Sequence, residues 1–155
     1  MGLFTPVAVW LGARPWMPRL LPQITWLDQR LQRLTRGRVG FVQIAGLPGL
    51  TLTVAGRKSG VPRSTPLLCV PYGDGWLVAG SSFGAPKPPV WAANLRAATT
   101  AEVRFRGREV TVTWAELEGD ERARAWAAMN EVWPNYQRYA DNTDRVIPVF
   151  LLTPA

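Results

Sequence analysis

Apolar and polar residues alternate with a period of two over much of the chain from residue 50 onward, the pattern of half-buried strands. Leu50, Leu52 and Val54 alternate with Thr51 and Thr53, and Leu67–Val70 reads as a more buried strand. Tyr72-Gly73-Asp74-Gly75 is a hairpin-turn signal leading to a strand over Trp76–Ala79. A second hairpin turns at Gly107, with Val103 and Phe105 before it and Val110, Val112 and Trp114 after it. Val146–Leu152 closes the series, and Pro148 predicts an edge or an early strand position. Helical spacing appears over 23–36, where Ile24, Leu27, Leu31 and Leu34 form an apolar stripe. Pro88–Ala98 reads as a short helix. Asp120 is a candidate cap for a helix carrying Trp126, Met129 and Trp133. Pro134 interrupts or kinks it, and Asn135–Thr143 follows with Trp133, Tyr136 and Tyr139 three apart, a spacing that a helical phase would put on one face. About six short strands, with one short helix among them and longer helices outside, predict an α+β, mainly β domain built on an antiparallel barrel. Regular βαβ alternation is absent, which argues against a dinucleotide-binding sheet.

The 155 residues suit one globular domain, with residues 1–39 as an N-terminal appendage and 40–155 as the barrel. Residues 1–22 are apolar but broken by four prolines, Arg14 and Arg19, a poor match to a signal peptide or a membrane span. They read as a docked or membrane-surface segment. In the helix over 23–36, Arg30, Arg33 and Arg36 lie off the apolar stripe. That helix either meets anionic headgroups or packs on the body.

The net charge of +7 is unevenly placed. Residues 1–66 carry nine basic side chains against Asp28 alone, and 67–155 carry nine against ten acidic ones. The excess faces an anionic cofactor or lipid. Nucleic acid ranks low as a partner, because no recognition motif accompanies the charge. There is no histidine, which removes the commonest general base and metal ligand. With the single Cys69 in an apolar run, neither a zinc site nor an iron–sulfur cluster is expected. One cysteine also fits a reducing, cytoplasmic compartment. An enzyme with this inventory draws its chemistry from an organic cofactor.

The densest basic stretch is Gly56–Pro66, GRKSGVPRSTP. Arg57, Lys58 and Arg63 stand with Ser59, Ser64 and Thr65 on a connection stiffened by Pro62 and Pro66. It reads as a seat for a multiply charged anion or as a solvated basic hairpin loop. Its glycine spacing is not that of an NTPase phosphate loop. A second loop, Gly80–Lys87, is rich in small residues and holds one of the chain's two lysines.

Three motifs occur in order: Gly56-Arg57-Lys58-Ser59-Gly60-x-Pro62-Arg63; Ser81–Lys87 followed by Trp91-x-x-Asn94-Leu95; and Trp133-Pro134-x-Tyr136-x-x-Tyr139 followed by Thr143-Asp144-Arg145-x-Ile147-Pro148. Together they resemble the deazaflavin-dependent nitroreductase family, over about residues 40–153. The resemblance implies a split β-barrel and coenzyme F420, a deazaflavin with a phosphate and an oligoglutamate tail. It also implies that Arg57, Lys58, Ser59 and Arg63 hold the phosphate and tail. Pro66, Ser81, Ser82, Trp91 and Asn94 would line the cofactor, and Lys87 would support the second loop. Tyr136 would stand near the deazaflavin ring as the catalytic residue, with Trp133 and Tyr139 walling the substrate pocket. Asp144 and Arg145 read as a pair bracing the last strand. The expected activity is hydride transfer from reduced F420 to a quinone, with nitroaromatics as further acceptors. The alternatives are a barrel that binds F420 or another ligand without turnover, and an oxidoreductase using flavin mononucleotide.

Overall fold

A computed structural model describes residues 6, 10, 13, 14, 16–20, 22, 23, 26, 27, 30 and 47–155. Most of the N-terminal segment and of the basic helix expected over 23–36 lies outside the described residues. Gln23, Trp26, Leu27 and Arg30 are helical. A 3-10 turn, Met17–Leu20, lies against residues 82–84.

Seven strands form one antiparallel sheet: β1 (Gly49–Ala55), β2 (Pro62–Leu68), β3 (Val70–Tyr72), β4 (Gly75–Ala79), β5 (Ala101–Phe105), β6 (Arg108–Glu116) and β7 (Val149–Pro154). Their spatial order is β2-β1-β5-β6-β7-β4-β3. That order forces the sheet to curl. β2 and β3 stand at opposite edges yet are separated in sequence only by Cys69. A flat seven-stranded sheet would hold its edges about 29 Å apart, whereas two peptide steps span at most about 7.3 Å. The result is a barrel with a split seam between β2 and β3.

The sequence expectation of about six strands is corrected to seven, because the run Leu67–Val70 breaks at Cys69 into the end of β2 and the start of β3. The basic connection is also shorter than expected. The turn ends by Val61, and β2 starts at Pro62, so Arg63, Ser64, Thr65 and Pro66 lie on a strand. Pro66 is tolerated there because β2 pairs only with β1. β7, by contrast, is internal, between β6 and β4. Pro148 stands just before it, where a missing amide hydrogen costs no ladder bond.

Period-two alternation divides the buried side chains between two cores. Leu50, Leu52, Val54, Val103, Val112 and Phe150 face one, to which helix α1 (Val90–Ala97) adds Trp91, Ala92 and Leu95. Leu77 and Val149 turn to the other, formed with α2 (Gly119–Val132) and α3 (Asn135–Asp141). Their chain neighbours Val78 and Phe150 point the opposite way, so β4 and β7 are covered on both faces. The backbone of β4 is close to that of β7 at Gly75, where a Cβ would fall 2.0 Å from the Leu152 carbonyl oxygen. Arg106 and Gly107 both take positive φ, 49° and 79°, the two-residue turn that matches the twist of the β5–β6 hairpin. The N-cap of α2 is Glu118 rather than the expected Asp120, which with Glu121 lies in the first turn and faces the positive end of the helix dipole. α2 ends before Pro134, as the sequence predicts.

Candidate functional site

The first loop, between β1 and β2, is folded tightly on itself. The Gly56 amide donates to the Val61 carbonyl at 2.8 Å, and the Gly60 amide donates to the Gly56 carbonyl at 2.7 Å. The Val61 amide donates to Ser59 Oγ at 3.2 Å, so the serine hydroxyl shapes the turn. Gly60 takes φ 71°, a conformation glycine adopts at little cost. Gly56 leaves room for two neighbouring side chains. A Cβ there would stand 2.7 Å from Ser59 Oγ and 3.3 Å from Arg63 Nε. The arginine on β2 therefore lies back over the base of the turn that presents Arg57 and Lys58.

Asn94 fastens this loop to α1. Its Oδ1 accepts from the Arg57 amide at 3.1 Å and from Arg57 Nη1 at 3.2 Å. Asn94 is 3% exposed and Arg57 is exposed, so these bonds are part-buried. Asn94 thus touches the loop arginine, a role the sequence did not foresee. Among the described residues the ion pairs are Arg96–Glu116 and Arg104–Glu109. Arg57, Lys58, Arg63 and Lys87 have no carboxylate partner within that set. Three unneutralised cations on a short, internally bonded turn fit the phosphate and carboxylates of an acidic cofactor.

The second loop follows β4. The Gly80 amide donates to the Pro148 carbonyl at 2.9 Å, and a Cβ on Gly80 would meet Pro148 at 2.8 Å and Pro89 at 3.3 Å. Ser82, Phe83 and Gly84 then take φ 44°, 53° and 79°. Two of these are not glycine, and such left-handed residues cost about 1–3 kcal/mol each when they are not Gly, Asn or Asp. Gly84 is obligatory, since a Cβ would lie 2.8 Å from the Tyr139 carbonyl oxygen. The guanidinium of Arg145 holds the loop from behind. Nε donates to the Ala85 carbonyl at 3.0 Å, Nη1 to Gly80 at 2.9 Å and Nη2 to Ser81 at 2.9 Å. Arg145 was expected to pair with Asp144 and brace the last strand; it instead binds three carbonyls of this loop. Burial lowers its pKa, yet a guanidinium stays charged.

The aromatic residues Trp133, Tyr136 and Tyr139 do come together. Trp133 Nε1 donates to Tyr139 Oη at 3.2 Å, and the two tyrosine rings meet edge to face at 6.3 Å. Phe83 from the strained loop stands edge-on to Tyr139 at 5.6 Å, and Trp126 lies 5.8 Å from Tyr136. Both tyrosines are buried. Burial pushes the Tyr139 phenol up to about 12, although hydrogen bonds from Trp133 and Asn135 pull the other way. It pushes Tyr136 higher still. Both phenols are therefore neutral near pH 7, able to donate a hydrogen bond but not to act as bases. Trp91 packs in the first core, 5.7 Å from Phe150. Ser81 and Ser82 are half-buried on the strained loop, Pro66 is half-buried on β2, and Lys87 is exposed. Sequence reading missed Phe83, whose left-handed backbone has no signature in residue type, and Arg145's true partners, which lie 60 to 65 positions away.

A seamed antiparallel barrel, with a basic turn bonded to α1 and a strained loop packed on α3, defines the class as a split-barrel protein. Within that class the chain belongs to the F420H(2)-dependent quinone reductase family, whose profile matches residues 26–154. It is similar to the F420H(2)-dependent quinone reductase Rv1261c of Mycobacterium tuberculosis, at 34% identity over 134 residues, 84% of this chain and 90% of that protein. Among solved structures it resembles an F420-H2 dependent reductase, FDR-A, with a TM-score of 0.63 and 37% identity, covering 68% of this chain and 93% of that one. A structure described as a domain-swapped dimer aligns with a TM-score of 0.65 and 32% identity, covering 82% and 96%. Membership makes this chain an F420-dependent oxidoreductase with coenzyme F420 as its cofactor.

Proposed function

We propose that this protein reduces a quinone with hydride drawn from reduced F420, and that nitroaromatics serve as incidental acceptors. The observation that carries the reading is the basic turn. Arg57, Lys58 and Arg63 lack carboxylate partners among the described residues, and Arg57 is held in place by two bonds from Asn94. Bound F420 supplies the hydride. Everything else falls to the chain. Arg57, Lys58 and Arg63, with Ser59 shaping the turn, bind the anionic end. Ser81, Ser82 and Pro66, with Trp91 and Asn94 behind them and Lys87 on the rim, line the cofactor.

Tyr136 orients the acceptor. With its phenol held neutral by burial, it donates a hydrogen bond to the carbonyl oxygen that gains negative charge, and solvent would supply the proton that completes the quinol. Trp133 and Tyr139 wall the acceptor's apolar part.

Residues 1–39 would bring the enzyme to the inner face of the cell membrane, leaving 40–155 as the coenzyme domain in the cytoplasm. Trp10 and Trp26 are 57% exposed, Leu20 and Leu27 are exposed beside them in sequence, and the guanidiniums of Arg14 and Arg30 lie 3.9 and 5.2 Å from the two indole centroids. Aromatic rings interleaved with arginine suit a headgroup layer. No helix among the described residues is long and apolar enough to cross a membrane.

The test mixes pure protein with reduced F420 and a menaquinone analogue and follows the deazaflavin absorbance. Oxidation that requires the protein supports the proposal. No oxidation with any quinone or nitroaromatic contradicts it.

A further inference from the structure

We infer that Arg145 is a positioning residue for the coenzyme: it holds Ser81–Ala85 in the left-handed turn that F420 binds, without touching the coenzyme itself. The inference rests on the assignment of Ser81 and Ser82 to the F420 site. Three observations converge on it. Ser82 and Phe83 occupy positive φ although neither is glycine, so this turn is not the one their residue types favour. The turn's own backbone bonds are few: Gly84 N–H to the Ser81 carbonyl at 2.8 Å and Ala85 N–H to the Ser82 carbonyl at 3.0 Å. The three guanidinium bonds from Arg145 reach the carbonyls of Gly80, Ser81 and Ala85, which are the residues that bracket the strained pair.

A planar fork with five donors in fixed directions can meet three carbonyls at once, whereas an ammonium on a flexible stem cannot match that spread. Strained backbone persists only where its surroundings over-determine it. Here Arg145 on one side and the Gly84–Tyr139 backbone contact on the other supply that constraint. Arg122 secures the same segment, donating to the Ile147 carbonyl at 2.7 Å, so the connection between α3 and β7 that carries Arg145 is itself fixed.

The prediction separates positioning from bulk stability. Arg145→Lys should stay folded and bind F420 about tenfold more weakly, a change of about 1.4 kcal/mol. Phe83→Asn puts a residue tolerant of positive φ into the turn but removes the ring packed on Tyr139, so its F420 affinity in the wild-type background is the baseline for the cycle. In the Arg145→Lys background the same substitution should cost less affinity than it does in wild type, or restore part of what was lost, because one of the two left-handed positions no longer needs forcing. A purely structural arginine would give additive losses instead. Calorimetric F420 titration of the four proteins, with melting temperatures alongside, reads this directly. Additive losses, unchanged affinity in Arg145→Lys, or failure of both Arg145→Lys and the double variant to fold would each overturn the inference. If the wild-type protein binds F420 but Ser81→Ala and Ser82→Ala bind it equally well, the fault lies in the site assignment, and the inference falls with it.

Discussion

Replacing Asn94 with alanine breaks the link between α1 and the basic turn at one atom. Oδ1 accepts two hydrogen bonds from Arg57, one from the backbone amide and one from the guanidinium. The first loss bears on stability. A part-buried amide loses its partner, at a cost of about 0.5–1.5 kcal/mol. For a chain of this size that lowers the melting temperature by about 2–4 °C per kcal/mol. The second loss bears on binding. Arg57 is freed to sample other rotamers, and ordering a long side chain on ligand binding costs about 0.5–1.5 kcal/mol. The expected weakening for F420 is therefore about two- to tenfold. The assay is a double-mutant cycle, titrating F420 calorimetrically into wild type, Asn94→Ala, Arg57→Ala and the double variant. If Asn94 acts through Arg57, its effect on affinity disappears once Arg57 is alanine. Affinity losses that add in full would refute the coupling. So would an Asn94→Ala protein that melts lower yet binds F420 as tightly as wild type.

Other outcomes follow from the same geometry. Lys58→Ala should weaken F420 binding by about 1–3 kcal/mol if a charge-assisted contact is lost, and unchanged affinity by titration would remove Lys58 from the site. Gly84→Ala should cost at least about 1–2 kcal/mol in denaturant unfolding from its left-handed φ alone. Near-wild-type stability there would mean that the loop and Tyr139 are not in backbone contact. Tyr136→Phe should slow quinone reduction while F420 affinity stays the same, and an unchanged rate would leave the hydroxyl without a role. Stability should also fall in alkali. Burial raises Cys69 from 9.0 to about 12 and Tyr139 from 10.0 to about 12. Between those values the unfolded chain releases protons that the folded one keeps, so unfolding becomes easier as pH rises. The stability tied to this burial is full below pH 9 and is lost at about 1.4 kcal/mol per pH unit for each group, from pH 9 for Cys69 and from pH 10 for Tyr139, up to about pH 12. Urea midpoints from pH 8 to 11 check this, and a flat profile would contradict the burial of both groups.

The alternation Leu50-Thr51-Leu52-Thr53-Val54 and the hairpin around Gly107 were legible because side-chain period and turn chemistry are local properties. So was the meeting of Trp133, Tyr136 and Tyr139, which helical spacing with a break at Pro134 already places on one face. The split between β2 and β3 was not legible. Leu67, Leu68, Cys69 and Val70 form an unbroken apolar run, and only the closing of the sheet shows that the chain changes edges there. Pro148 left two readings open, an edge or an early strand position, and its place one residue before the internal β7 fits the second. At the site, Arg57, Lys58 and Arg63 were visible as a charge cluster in a turn. Asn94's two bonds to Arg57 and Arg145's three carbonyl bonds join loops 37 to 65 positions apart, and nothing in composition or period encodes such pairings. The left-handed Ser82 and Phe83 were hidden for the complementary reason, since their residue types argue against the conformation they hold.

The turn after β1 is assigned to grip the acidic end of the coenzyme. Parallel titrations of F420 and of its deazaflavin–ribityl chromophore, which lacks the phosphate and glutamates, test this with the wild type and an Arg57→Ala/Lys58→Ala/Arg63→Ala variant. The wild type should bind F420 far more tightly than the chromophore, and that preference should collapse in the triple variant while the weak chromophore affinity persists. Equal affinities for the two ligands in the wild type, or a preference undiminished by losing all three cations, would contradict it.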